Sequence, residues 1–166
     1  MSAHDAFADV LEANAQYARD FMRNGQTGVA GRGLAVLTCM DSRIEPLPML
    51  GLEAGDAKIM RNAGARVTDD VLATLVIARY LLGVDRLMVI AHTKCRMTAA
   101  DDAELHAAIA EAGGPDTSDL PFKTSPDQQA TVTADVNRVR AFDRLEGLAV
   151  GGFLYDVDSG RLLQLC

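Results

Sequence analysis

The sequence predicts an α/β fold with a mostly parallel central β-sheet flanked by helices, and three features predict it. Two short runs, LAVLT at 34–38 and LMVIA at 87–91, are rich in aliphatic residues at consecutive positions, as strands covered on both faces must be. The stretches between and after them repeat apolar residues every three or four positions, the period of helices packed on such a sheet. Strand and helix alternating in this way imply right-handed crossovers and a site at the carboxyl ends of the strands.

The elements follow in order. Over 5–22, Phe7, Val10, Leu11, Tyr17, Ala18 and Phe21 recur at helical spacing, giving an amphipathic helix that must lay its stripe against something. Glycines 25, 28, 31 and 33 then read as a mobile connection. The first strand spans 34–38. A loop with a short helix, punctuated by Pro46 and Pro48, fills 44–55, and a second short strand spans 57–60 ahead of a loop at 61–65. Thr68 or Asp69 caps the next helix, which buries Leu72, Leu75, Val76 and Leu82 and ends at Gly83. The central strand is 86–91. Helices are expected over 98–112 and 128–145, the second with Val132, Val136, Val139 and Phe142 on one face, and a loop between them. A strand over 148–157 turns at Asp158-Ser159-Gly160 and returns through 162–165 as a hairpin at the sheet's edge. Residues 1–166 read as one domain without repeats or low-complexity segments.

Composition narrows the function classes. A net charge of −7 leaves no basic face to neutralise phosphate, so nucleic acid and anionic membrane are not expected partners. No run approaches the length of a membrane span, and no secretory leader is expected at the N-terminus. Three cysteines, two of them at metal spacing, fit a reducing cytoplasm better than a disulfide framework.

Both aliphatic runs end in residues able to bind metal or handle protons. The first delivers Cys39, Asp41 and Arg43 at alternate positions, so an extended chain would point all three into one space. The second delivers His92 and Cys95, three apart, from a strand end and the turn after it. Taken singly, each cysteine reads as a buried thiol and Asp41 with Arg43 as an ion pair. Taken together, Cys39, His92 and Cys95 form a set that suits zinc and leaves its fourth position for water or a carboxylate, the pattern of a catalytic rather than a structural ion. Arg61 and Asn62 read as loop donors to backbone carbonyls. His4, His106 and the Asp101, Asp102 and Glu104 cluster read as solvated, and Cys166 as a free thiol. Gly31-Arg32-Gly33 precedes a strand instead of following one, which excludes a dinucleotide loop.

At these motifs the chain resembles the β-class carbonic anhydrases, in the short bacterial and archaeal form. C-x-D-x-R stands as Cys39-Met40-Asp41-Ser42-Arg43, H-x-x-C as His92-Thr93-Lys94-Cys95, and the R-N-A-G loop as Arg61-Asn62-Ala63-Gly64. The resemblance implies one zinc ion per chain on Cys39, His92 and Cys95, and hydration of carbon dioxide to bicarbonate by zinc-bound hydroxide. Zinc lowers the pKa of a bound water, an effect best known from carbonic anhydrases that hold the ion with three histidines. Asp41 would orient the hydroxide, Arg43 would hold Asp41, and the N-terminal helix would take part in dimer contacts. The family's H-T-D-C-G reads here as His92-Thr93-Lys94-Cys95-Arg96, which sets two cations beside a thiolate. Two other readings share the ligand set: a hydrolase of carbonyl sulfide or carbon disulfide, and a catalytically silent zinc-binding homologue closed by Lys94 and Arg96.

Overall fold

Six consecutive buried residues place β1 (Leu34–Cys39) in the interior of a five-stranded sheet. The computed structural model describes residues 5–22, 25–98 and 101–166, and His4 lies outside them. The other strands are β2 (Ala57–Asn62), β3 (Arg86–His92), β4 (Ala149–Tyr155) and β5 (Leu162–Gln164), in the order β2-β1-β3-β4-β5. All neighbouring pairs are parallel except β4 with β5, the antiparallel edge hairpin. The register sets Thr38 against Ile90 and Cys39 against Asn62, so β1, β2 and β3 finish at one end of the sheet.

Alternation along the strands builds two faces. Ala35 and Leu37 of β1 with Leu87, Val89 and Ala91 of β3 point to one side. There they meet Val71, Leu72, Leu75 and Ala78 of α3 (Asp69–Leu81), and Val132, Val136 and Val139 of α5 (Gln128–Arg140). Leu34, Val36 and Ile90 point to the other side, where Leu52 and the short α2 (Pro46–Met49) give partial cover. A groove of roughly 530 Å³ remains on this second face, floored by Leu34, Leu50, Leu52, Met88 and Phe153.

The structure moves several expected boundaries. The N-terminal helix is a 3-10 turn (Asp5–Phe7) followed by α1 (Ala8–Arg19), and no residue of α1 is buried. Its stripe of Val10, Leu11 and Tyr17 is more than half exposed. The glycine connection is not mobile from Ala30 onward. Ala30 N–H donates to Leu82 O, Gly31 N–H to Gly55 O and Arg32 N–H to Asp56 O, at 2.8–2.9 Å. Leu82 lies beyond α3 as its C-cap and is only half-buried, while Thr68 caps the start. α5 stops at Arg140 because Phe142 is extended, and residues 143–145 form a separate 3-10 turn.

Helix α4 (Asp102–Glu111) begins later than expected, where Asp101 and Glu104 close a reciprocal capping box. Asp102 is not a solvated helix residue. Its carboxylate accepts the backbone N–H groups of Phe122, Lys123 and Thr124 and the Thr124 hydroxyl, and these bonds hold its pKa below the usual value. His106 is half-buried, 2.9 Å from the Thr117 hydroxyl, with its ring on Phe122.

Close packing of α5 on β4 depends on Gly152. A Cβ there would lie 2.5 Å from Val132 Cγ1 and 2.8 Å from Cys166 Sγ, inside contact distance. Gly152→Ala is expected to lower stability by about 1–3 kcal/mol through overpacking, read as a lower urea midpoint at unchanged m-value.

Candidate metal centre

The parallel pairing of β1 and β3 brings two sequence segments to one spot. Cys39 closes β1, His92 closes β3, and Cys95 follows a turn in which Lys94 adopts φ 56°. The ligand atoms of Cys39, His92 and Cys95 all lie within 4.8 Å of one another and all three residues are buried. The two sulfurs are 4.0 Å apart.

The histidine is prepared as a ligand. Its Nδ1 stands 2.9 Å from Thr93 O, and a carbonyl can only accept, so Nδ1 carries the proton. Nε2 then presents a lone pair, yet it is buried without any hydrogen-bond partner. Among the described residues no other buried side-chain nitrogen or oxygen is left this way. An orphaned imidazole nitrogen beside two sulfurs is a costly arrangement for an empty core and the expected one for a borderline-soft cation. The residues fit zinc, with one tetrahedral position left for another ligand.

The sulfurs share their protons unequally. The neighbouring Cys95 thiol, with the amide of Gly64 at 3.4 Å, pulls the Cys39 pKa far below the ordinary thiol value, against the opposing effect of burial. Cys95 is pushed up, first by Cys39 and then by burial. Both must be ionised to hold a metal, so binding releases protons.

Asp41 and Arg43 do converge on this site, but not by strand alternation. β1 ends at Cys39, and the chain turns so that Ile44 N–H donates to Asp41 O at 3.1 Å. The carboxylate closes the turn by accepting Arg43 N–H at Oδ1 (3.0 Å). The Arg43 guanidinium adds Nε to Oδ1 (2.9 Å) and Nη2 to Oδ2 (2.7 Å). This pairing holds the Asp41 carboxyl well below the usual range. Nη2 also donates to Lys94 O at 3.1 Å, which ties the dyad to the loop between His92 and Cys95. Asp41 Oδ2 lies 3.9 Å from His92 Nε2, beside the ligand cluster and not part of it.

Arg61 donates to Cys39 O (3.0 Å) and Asp41 O (2.6 Å), and the Asn62 side chain brackets Arg66, bonding its backbone N–H and C=O. Both are the last residues of β2 and not part of a loop, but Arg61 does donate to backbone carbonyls as its residue type implies, and Asn62 donates to one and accepts an amide. Lys94 and Arg96 do not press on the sulfurs as their sequence positions imply. Lys94 Nζ pairs with Asp158 Oδ2 at 2.6 Å on the β4–β5 turn, and Arg96 is exposed. No hydrogen bond from either side chain reaches a sulfur among the described residues. Gln128 was not legible as a site residue; it donates to His92 O at 2.7 Å from the first turn of α5, a position that looks like ordinary helix. Around the ligands Ile44 and Met97 are buried, with Met49, Ala63, Phe122 and Tyr155 packed against them.

Known proteins agree with this arrangement. A family model described as carbonic anhydrase matches residues 34–117. "Beta-carbonic anhydrase 1" of Mycobacterium tuberculosis is 32% identical over 158 residues, 95% of this chain and 96% of that protein. A carbon disulfide hydrolase of Acidithiobacillus thiooxidans is 25% identical over 92% of this chain and 87% of its own length. The crystal structure of carbonic anhydrase from Streptococcus mutans superposes with a TM-score of 0.90 at 32% identity, covering 100% of this chain and 99% of that one. A matching family model, relatives similar over nearly their whole length, and a buried Cys–His–Cys cluster beside a carboxylate together mean that this chain belongs to the β-carbonic anhydrase family.

Proposed function

We propose that the chain catalyses the reversible hydration of carbon dioxide to bicarbonate, with zinc on Cys39, His92 and Cys95, as a cytoplasmic homodimer. The observation that carries this reading is the unused lone pair of Asp41. A carboxylate offers two acceptor sites on each oxygen. Oδ1 spends both on Arg43, whereas Oδ2 spends one and sits on the side facing the ligand cluster. One acceptor therefore remains at the mouth of the site.

Zinc, when bound there, supplies the Lewis acidity that brings the ionisation of water towards neutral pH. Asp41 is acceptor-only at that pH, so at Oδ2 it takes a hydrogen bond from the attacking water and fixes which way the remaining lone pairs point. Arg43 keeps the carboxylate charged and unable to rotate, since both oxygens are held. Ile44, Met97 and Phe122 offer an apolar wall suited to an uncharged linear substrate and unsuited to bulk water. The half-exposed Arg43 guanidinium offers positive charge to an anionic product beside the Asp41 carboxylate.

Two surfaces support the homodimer: the exposed apolar stripe on α1, and the groove on the second face of the sheet, whose floor is apolar and whose lining also carries Arg32 and Arg86. Thiolate ligands suit a reducing cytoplasm. Among the described residues no helix is long and apolar enough to cross a membrane.

Stopped-flow hydration of carbon dioxide, on protein whose zinc content is assayed on the same sample, tests the activity. Wild type is expected to turn over rapidly, and Asp41→Ala to lose about 100-fold or more in kcat at unchanged zinc content. Turnover of carbon disulfide with none of carbon dioxide would sink the assignment.

The dyad has its own pH signature. Because the folded-state pKa of Asp41 lies below its ordinary value of 3.8, the pair's contribution to stability is fully present above about pH 4. It is lost as pH falls through the lowered value. The stability gap between wild type and Arg43→Gln should therefore be constant near neutrality and shrink below about pH 4, as read by denaturant titrations at each pH. For the assembly, Leu11→Asp combined with Tyr17→Asp is expected to convert the dimer to monomer in sedimentation velocity.

A further inference from the structure

The loop after β2 carries backbone torsions that do not hold themselves in place. Gly64 and Ala65 are both left-handed, at φ 78° and 58°, and Ala65 is a buried residue with a Cβ. That pair of turns aims Gly64 N–H at Cys39 Sγ. What holds it is the next residue. The Arg66 backbone is bracketed by Asn62, and its side chain runs to Asp135 on α5, with Nε 2.8 Å from Oδ2. Nη1 of the same guanidinium donates to Lys123 O at 2.7 Å, in the segment that carries Phe122 to the ligand cluster. Asp135 is 4% exposed and also accepts Val67 N–H at 3.2 Å. One buried carboxylate thus fastens both residues that follow the left-handed pair.

We infer that Asp135, acting through Arg66, is a positioning residue of the metal centre, holding the Gly64 amide on the Cys39 sulfur and the Phe122 segment against the ligands. A sulfur that accepts an N–H bond gives less electron density to a metal, so loss of this bond alters the metal–sulfur bonding as well as the geometry. Asp135 touches neither ligand nor substrate. Its effect travels through two turns of backbone and one guanidinium.

The inference rests on the metal reading of Cys39, His92 and Cys95, and the test separates the two. Cobalt(II) replaces zinc, and its thiolate-to-metal charge-transfer band reports the sulfur directly; zinc release to a chelator gives a second readout. Asp135→Asn is expected to shift the band and to speed zinc release about 10-fold. Val139→Ala loosens the same helix from the core without touching Arg66 and is expected to leave both readouts as in wild type. Where Asp135→Asn does not fold, Arg66→Lys carries the test, since an ammonium cannot hold Asp135 and Lys123 O with a planar fork. An unchanged band and release rate in the variant that folds would overturn the inference, as would equal changes in Val139→Ala. A wild-type protein with no thiolate band at all would overturn the metal reading, and this one with it.

Discussion

The chemistry of this chain depends on one constraint, the parallel pairing of β1 with β3. Parallel strands finish at the same end of a sheet, and the register of Thr38 against Ile90 makes these two finish within two residues of each other. Cys39 and His92 are consequently close neighbours although 53 positions separate them in the chain. A one-residue slip would exchange the side chains of the two buried faces, setting Leu34 and Val36 where Ala35 and Leu37 now pack against the helices, so the fit of the core fixes where the cysteine of β1 ends up. Thr38 adds a further lock, since its buried hydroxyl donates to Ile90 O at 3.1 Å across the same pair of strands. The site is a by-product of a well-packed core, and its precision comes from there.

Bringing two sulfurs and an imidazole together out of water is unfavourable without a cation. With the sulfurs 4.0 Å apart, ionising Cys39 pushes the Cys95 pKa up, so both do not ionise readily together, and an imidazole nitrogen without a partner forfeits a hydrogen bond. The protein offsets part of this by itself: the backbone amides of Gly64 and Asp41 act on Cys39 and that of Met97 on Cys95, while of the cations nearest in sequence Lys94 pairs with Asp158 and Arg96 is exposed. By contrast Asp41 is supplied generously, with three donors from Arg43 alone. The asymmetry is informative. Charge on the sulfurs would be left for a metal to neutralise, while charge on the carboxylate is neutralised in advance and its geometry fixed.

The strands and the cluster of Cys39, His92 and Cys95 were legible in the sequence because each is encoded locally. An unbroken aliphatic run ending in a metal-binding residue carries its own meaning, and so do C-x-D-x-R and H-x-x-C. What was not legible depends on contacts between distant segments. Alternation correctly grouped Cys39, Asp41 and Arg43, yet for the wrong reason, since an Asp turn rather than an extended strand joins them. Asp102 looked like solvated helix because its four donors lie 20 and more positions away, in a loop with no periodicity. Arg66 and Asp135 are 69 apart and neither belongs to a motif. Lys94 was misjudged for the converse reason: it adjoins a ligand in sequence, but its left-handed backbone turns the side chain to Asp158.

The helix α1 has a sequence that demands burial and a position that buries none of its residues among the described ones. Twelve residues are too few for a helix to persist on propensity alone, so its stability must come from packing. The second face of the sheet has the complementary deficiency, an apolar groove beside a partial cover. These faces are not remote from the chemistry. Met49 and Tyr155 pack both against the cluster around the ligands and against the cluster beneath the groove, so one apolar layer runs from the open face to the metal centre. Covering that face removes water from the layer and lowers the local dielectric at the site, which strengthens the Asp41–Arg43 pair and every other electrostatic contact there. In the proposed homodimer, association and the poise of the metal centre are therefore coupled through the same buried side chains.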